Sequence, residues 1–158
     1  MKTIPRRIVT GVKDGKSYIE QDAQVSNVSE HYPGLVISDV WQTSQTPASL
    51  IEEEPIENSA FPAVLKNGTY MRYVQIPTDK SLGIEAPAGQ PHPLMHKTAS
   101  LDYIIILSGE VYLITETEET LLKAGDIVIQ RATNHAWSNR SEQPCLQLAI
   151  LIDAAVAG

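Results

Sequence analysis

The chain has a single cysteine among its 158 residues, so no disulfide can form within it, and a reducing compartment, the cytoplasm, is expected. Basic residues are also scarce: 12 lysines and arginines against 19 acidic residues give a net charge of −7. Proteins that grip nucleic-acid phosphates concentrate Lys and Arg on one face, so no nucleic-acid partner is expected. No apolar run approaches the length of a membrane span, and Met1-Lys2-Thr3-Ile4-Pro5-Arg6-Arg7 lacks the apolar centre of a signal peptide. Neither a membrane partner nor secretion is expected. A glycine-rich phosphate loop, a CxxC pair and a GxSxG elbow are all missing, which sets aside the enzyme classes built on them. Helical periodicity is nearly missing too.

What is present is a strand-rich chain, 42% hydrophobic, of a length that suits one domain with one sizeable core. Apolar residues flank Lys13-Asp14-Gly15-Lys16, where Asp-Gly is a strong turn signal, so residues 7–12 and 17–22 are expected to form a hairpin. Residues 34–43 are β-rich. Thr46 as N-cap and Pro47 at the first helical position predict one short helix over 46–52, ended by Pro55. From residue 69 the pattern is strand, turn, strand: 69–77, 102–107, 111–116, 120–123, 127–130, 136–139 and 146–152, separated by Ser108-Gly109, Gly125-Asp126 and a polar turn at 139–144. Short strands joined by Gly, Asn and Pro turns indicate an all-β barrel or sandwich of the jelly-roll type. Residues 1–59 are expected to form an N-terminal arm of hairpin, strand and short helix, residues 60–153 the barrel, and 154–158 a tail. Glu52-Glu53-Glu54 and Glu116-Thr117-Glu118-Glu119 are read as solvated turns or helix faces.

Two strings carry the chemistry. The first runs His96-Lys97-Thr98-Ala99-Ser100-Leu101-Asp102 and continues to Gly109; the second runs from Gly125 through Gln130-Arg131-Ala132-Thr133-Asn134-His135-Ala136-Trp137 to Asn139. Together they resemble the two motifs of the cupins, H-x-H-x3-E-x6-G and G-x5-P-x-G-x2-H-x3-N. Thr98 stands at the second histidine, Asp102 at the glutamate, and Arg131 and Thr133 at the usual Pro and Gly, with the second motif one residue shorter before its histidine. The resemblance covers residues 60–153. The Thr, Asp and QR-x-T-x-HAW pattern is similar to a subgroup of small bacterial and fungal cupins, some tied to aromatic degradation or natural-product pathways. That implies a cupin barrel and a small-molecule ligand.

Side chains alternate across a strand, so His96 pairs in facing with Thr98, Asp102 with Ile104 and Ile106, and His135 with Trp137. In the cupin register all of them point inward, forming a polar cluster of His96, Asp102 and His135 walled by Ile104, Ile106, Trp137 and Met95 or Met71. The resemblance implies a divalent metal (Fe, Mn, Ni, Zn or Cu) on His96, Asp102 and His135, with Thr98 beside it. Asp102 is one methylene shorter than the family's glutamate, and Thr98 removes an imidazole. The open alternative is a buried hydrogen-bonded cluster without an ion, in which Asp102 and His135 act as acid and base or the pocket binds without turnover.

Arg131 is a candidate for binding a ligand carboxylate or phenolate, with a turn-stabilising ion pair as the alternative. His92, between Pro91 and Pro93, is read as a surface loop residue that could otherwise supply a further imidazole, and His31 as a loop or interface residue. Tyr103 should face away from Asp102. Ser108 and Cys145 have no neighbouring base or cation and are not read as nucleophiles. Oxygenase, isomerase or decarboxylase chemistry on a small aromatic or carbonyl metabolite is the expected activity, in a homodimer whose N-terminal arm covers a partner's sheet edge.

Overall fold

The computed structural model describes residues 1–50, 56, 64, 66–85 and 90–155. Eleven strands and one short helix are found among them: β1 (Arg6–Lys13), β2 (Lys16–Gln24), β3 (Val28–Tyr32), β4 (Leu35–Thr43), β5 (Thr69–Ile76), α1 (Asp79–Leu82), β6 (Ser100–Ser108), β7 (Glu110–Ile114), β8 (Glu119–Lys123), β9 (Ile127–Arg131), β10 (Ala136–Ser138) and β11 (Cys145–Asp153). A six-stranded sheet runs β3-β4-β5-β11-β6-β9, a three-stranded sheet runs β10-β7-β8, and β1 and β2 form a separate ribbon. The two larger sheets share one core. Ile104 and Ile106 of β6 meet Val111 of β7 and Leu122 of β8, with Tyr70, Cys145, Ala149 and Leu151 in the same cluster.

The alternation expected from the sequence decides what faces that core. On β11, Cys145, Gln147, Ala149 and Leu151 are buried while their neighbours are half-exposed. Opposed residues of an antiparallel pair share a face. The register therefore places Tyr70, Leu151, Asp102 and Gln130 in one inner row across β5, β11, β6 and β9, and Arg72, Ala149, Ile104 and Val128 in the next. Cys145 is fully buried, and burial pushes its thiol up to about 11.

The β1–β2 hairpin forms where expected, turning on Asp14 and Gly15, both at positive φ. Strand β4 is buried on both faces from Val36 to Asp39 because the chain start lies over its outer side. There Thr3 N donates to Gln75 Oε1 at 3.0 Å, and Arg7 donates to Val40 O while stacking on Trp41. Both β3 and β4 thus belong to the barrel's sheet, and β3 was not anticipated.

The helix differs in place. Residues 46–50 are bent but not helical, and 51–52 lie outside the described residues. Thr46 Oγ1 donates to Asn67 O at 2.8 Å instead of capping a helix. The helix is α1, where Thr78 Oγ1 accepts from Ser81 N and Gly83 ends it in the left-handed region at φ 65°. Among the described residues, no helix is long and apolar enough to cross a membrane.

Two motif glycines have different reasons to be glycine. Both have positive φ, +74° at Gly109 and +96° at Gly125, but a Cβ at Gly109 would lie 2.8 Å from Pro144 O, whereas nothing lies within 4 Å at Gly125. Gly125→Ala should cost ~1–2 kcal/mol of backbone strain, and Gly109→Ala at least ~1 kcal/mol more because backbone must move. Urea unfolding of both variants checks the order; equal losses would contradict the clash.

Candidate functional site

The β6–β9 register brings Gln130 opposite Asp102 on the inner face. Asp102 is 3% exposed, and its carboxylate is held by three donors: Ser100 Oγ at 2.5 Å, Gln130 Nε2 at 2.8 Å and, more loosely, Thr98 Oγ1 at 3.3 Å. Burying a carboxylate without partners would be prohibitive, and these bonds offset that loss of hydration. Gln130 was not singled out from the sequence. Its one available signal was its place in the second motif, because pairing with Asp102 depends on a register that spans 28 residues.

His96 and His135 exchange both backbone hydrogen bonds, 2.8 and 2.9 Å, which sets their rings 4.2 Å apart between centroids. His96 is exposed, whereas His135 is 2% exposed. The two rings are anchored alike: Nδ1 of each lies beside the carbonyl oxygen two residues earlier, Leu94 O at 2.9 Å for His96 and Thr133 O at 3.0 Å for His135. A carbonyl only accepts, so Nδ1 carries a hydrogen, and in this tautomer the lone pair lies on Nε2. Trp137 meets His135 edge-on at 5.5 Å and packs against the core with Ile104.

Burial lowers the His135 pKa to about 4, reinforced by neighbouring His96 and opposed by the Thr133 hydrogen bond and the charge of Asp102. His135 is therefore neutral at pH 7. It is also a weak base there, since a base works best with a pKa near the working pH.

The other candidates lie elsewhere. Arg131 is exposed and sits opposite Leu101, on the outer face, so it does not enter the cluster. Met71 opposes Ile150 and Trp41 on the outer face as well, and does not wall the site. Tyr103 faces outward, away from Asp102. His31 lies in β3 with Nε2 3.0 Å from Ser29 Oγ. His92 is corrected: it is 3% exposed rather than a surface loop residue. Its Nδ1 accepts from Leu94 N, its pKa is lowered chiefly by burial, and its charged neighbours are Asp79 and Arg140 rather than the histidine pair.

The closing asparagine of the second motif is structural. Asn139 donates to Ile76 O and Gln143 O and accepts from Ser141, pinning the β10–β11 turn to the end of β5. A cleft of about 490 Å³ opens nearby, beside α1, between Asp79, Lys80, Ser138, Arg140 and Glu142. Its walls are ion-paired or exposed charges, such as Arg140 with Glu119 and Lys80 with Glu142, so the histidine pair is the better site.

A metal would need a third protein ligand beside the two imidazoles. Among the described residues, no group of three or more His, Cys, Asp or Glu side chains is placed to hold an ion. Asp102 is drawn instead into the Ser100–Gln130 network. The described residues do not fit a resident ion as a three-ligand set.

The neutral state of His135 has a measurable consequence. Unfolding raises its pKa from about 4 toward the ordinary 6.5, so below pH 6.5 the unfolded chain binds a proton that the fold resists. The stabilisation is complete above pH 6.5 and fades as pH falls toward 4, by roughly 3 kcal/mol in total. Denaturant melts of chelator-treated protein between pH 7.5 and 5 should show that slope, and His135→Asn should flatten it. Parallel slopes for the two proteins would contradict the assignment.

Comparison with known proteins agrees with the fold. Residues 83–151 match the family model described as Cupin domain. Phomopsin biosynthesis cluster protein C' of Diaporthe leptostromiformis is 35% identical over 108 residues, 64% of this chain and 51% of that protein. The cupin-domain-containing oxidoreductase fogC of Aspergillus ruber is 31% identical over 121 residues, 72% of this chain and 54% of that one. The chain thus spans about half the length of these curated relatives. A solved Salmonella typhimurium LT2 structure named for ethanolamine utilization, protein q, superposes with a TM-score of 0.50 at 13% identity, covering 98% of this chain and 100% of that one. The motif strings, the two facing sheets and the matched family model together identify residues 83–151 as a cupin domain.

Proposed function

We propose that the barrel takes a small organic metabolite, aromatic or carbonyl-bearing, against the His96–His135 pair, and that the protein acts on or carries it in the cytoplasm. The observation that carries this reading is the common anchoring of the two rings through Nδ1, which leaves both Nε2 lone pairs available. Buried His135 beside Trp137 and Ile104 joins such an acceptor to an apolar wall, the composition of a small-molecule pocket. Asp102, bound by three donors, holds the wall together in this reading and is not the base.

Relatives named as oxidoreductases and as biosynthesis-cluster proteins support a metabolite substrate and a redox reaction. An oxygenase-type reaction would need an ion or another co-reactant, and the ligand set for an ion is incomplete among the described residues. The metal-free barrel is therefore the leading form. The test joins two measurements on protein purified without a metal-affinity column: elemental analysis, and titration with hydroxylated aromatic aldehydes followed by NMR of the Ile104 and Ile106 methyls. Expected are substoichiometric metal, shifts at those methyls and about tenfold weaker binding in His135→Ala. Near-stoichiometric metal that is lost in His135→Ala would overturn the metal-free form.

We also propose a homodimer. The β1–β2 ribbon pairs with no third strand among the described residues and exposes Ile8, Val12 and Ile19. The outer face of β6 and β9 exposes Tyr103, Leu107, Ile127 and Ile129. Apolar surfaces of this kind on one chain favour reciprocal cover by a second copy. Sedimentation should give a dimer at micromolar concentration and a monomer for the Ile127→Glu, Ile129→Glu double variant; a wild-type monomer removes the idea.

A further inference from the structure

His92 lies apart from the histidine pair, yet one intervening residue joins it to His96. Leu94 N donates to His92 Nδ1 at 3.2 Å, and Leu94 O accepts from His96 Nδ1 at 2.9 Å. The two imidazoles therefore use opposite tautomers. His92 accepts through Nδ1 and carries its hydrogen on Nε2, whereas His96 donates through Nδ1 and has its lone pair on Nε2.

The run Pro91-His92-Pro93-Leu94-Met95-His96 makes this link stiff. Met95 N donates to His92 O at 3.1 Å, closing a turn whose second residue is Pro93. A proline there has its φ already set, and it also keeps the backbone of His92, the residue before it, out of the helical region. The His92 side chain braces the same turn from within, as an Asn or Asp does when it bonds the amide two residues on. Burial anchors the brace: His92 is 3% exposed, with Asp79 and Arg140 as its charged neighbours. The residue that leaves the turn is His96, held beside His135 by their paired backbone bonds.

The rings of the pair share an anchoring pattern but differ in packing. His135 is buried against Trp137, so its neighbours also fix its ring. His96 is exposed, so its ring depends on the bond to Leu94 O. Without that acceptor an exposed imidazole turns about its side-chain bonds and exchanges tautomers. Resting on the reading of the His96–His135 pair as the ligand-facing group, we propose that His92 is a positioning residue, which through Leu94 fixes the orientation and tautomer of the His96 ring. It touches no ligand; it spares the ligand the entropy of ordering an exposed side chain.

Asparagine and glutamine separate the two ring nitrogens of His92. In His92→Asn the amide oxygen stands near the place of Nδ1 and keeps an acceptor for Leu94 N; in His92→Gln the amide reaches the place of Nε2 and that acceptor is lost. Ring-nitrogen NMR of the full chain at pH 8, where ordinary imidazoles are neutral, reads the tautomers directly. Expected in the wild type are Nε2–H for His92 and an excess of Nδ1–H for His96 of about fivefold or more. His92→Asn should keep that excess, and His92→Gln should bring the two His96 forms to within about twofold. Affinity for 4-hydroxybenzaldehyde should fall about fivefold in His92→Gln and by less than about twofold in His92→Asn. An Nδ1–H tautomer on wild-type His92 overturns the brace without any variant having to fold. An unchanged His96 tautomer in folded His92→Gln overturns it too, as does equal loss in the two variants, which assigns His92 to packing alone. A His96 tautomer that follows the acceptor while the wild type binds no aldehyde supports the positioning role and overturns the ligand site instead.

Discussion

The register of β11 is the constraint on which the molecule depends. It is hydrogen-bonded on one side to β5 and on the other to β6, so it alone joins the β3-β4-β5 half of the large sheet to the β6-β9 half. Its pairing with β6 runs without interruption from Gln147 to Asp153, and the one irregularity falls at its start, between Leu146 and Gln147. With that phase Tyr70, Arg72, Asp102 and Gln130 face inward; a slip of one residue would turn every one of them, or its partners, to the opposite face. The polar interior is therefore specified by backbone pairing, and its apolar neighbours Ile104, Ile106 and Leu151 supply the driving force that holds the pairing in place.

A barrel with this much polarity inside carries a cost that an apolar core avoids. Asp102 and Asp39 are both almost fully buried, and each is held by named partners, Ser100 and Gln130 for the first and Arg72 for the second. Removing one member of such a group leaves the rest buried and unpaired, which is far more damaging than replacing the whole group. His135 is accommodated differently, by remaining neutral. Two solutions to the same desolvation problem lie side by side, and they separate the roles: the carboxylates organise walls, while the imidazole keeps a free lone pair.

Much of this was legible in the sequence because it is local. The Asp14-Gly15 hairpin, the alternation along β6 and β11 and the Gly109 and Gly125 turns are written in neighbouring residues. The misses are non-local. Thr46-Pro47 carries helix-start chemistry, but the Thr46 hydroxyl is taken by Asn67, and the same chemistry succeeds at Thr78-Asp79. The two prolines around His92 suggest an exposed loop, yet that residue is folded inward near Asp79 and Arg140. Arg131 stands in a motif but on the outward phase of β9, whereas Arg72, outside any motif, is brought inside by its pairing with Ala149. Which candidate reaches the interior is a question of strand phase, and phase is fixed by partners many residues away.

Cys145 opens β11 opposite Ile76 and has no accessible surface, and its thiol is held well above the range in which thiolates form at neutral pH. A lone thiol at the first residue of the joining strand is a built-in clock for that strand. Alkylating reagents can reach it only when the structure around the start of β11 opens, so the rate of its modification reads the free energy of that opening without any label being introduced.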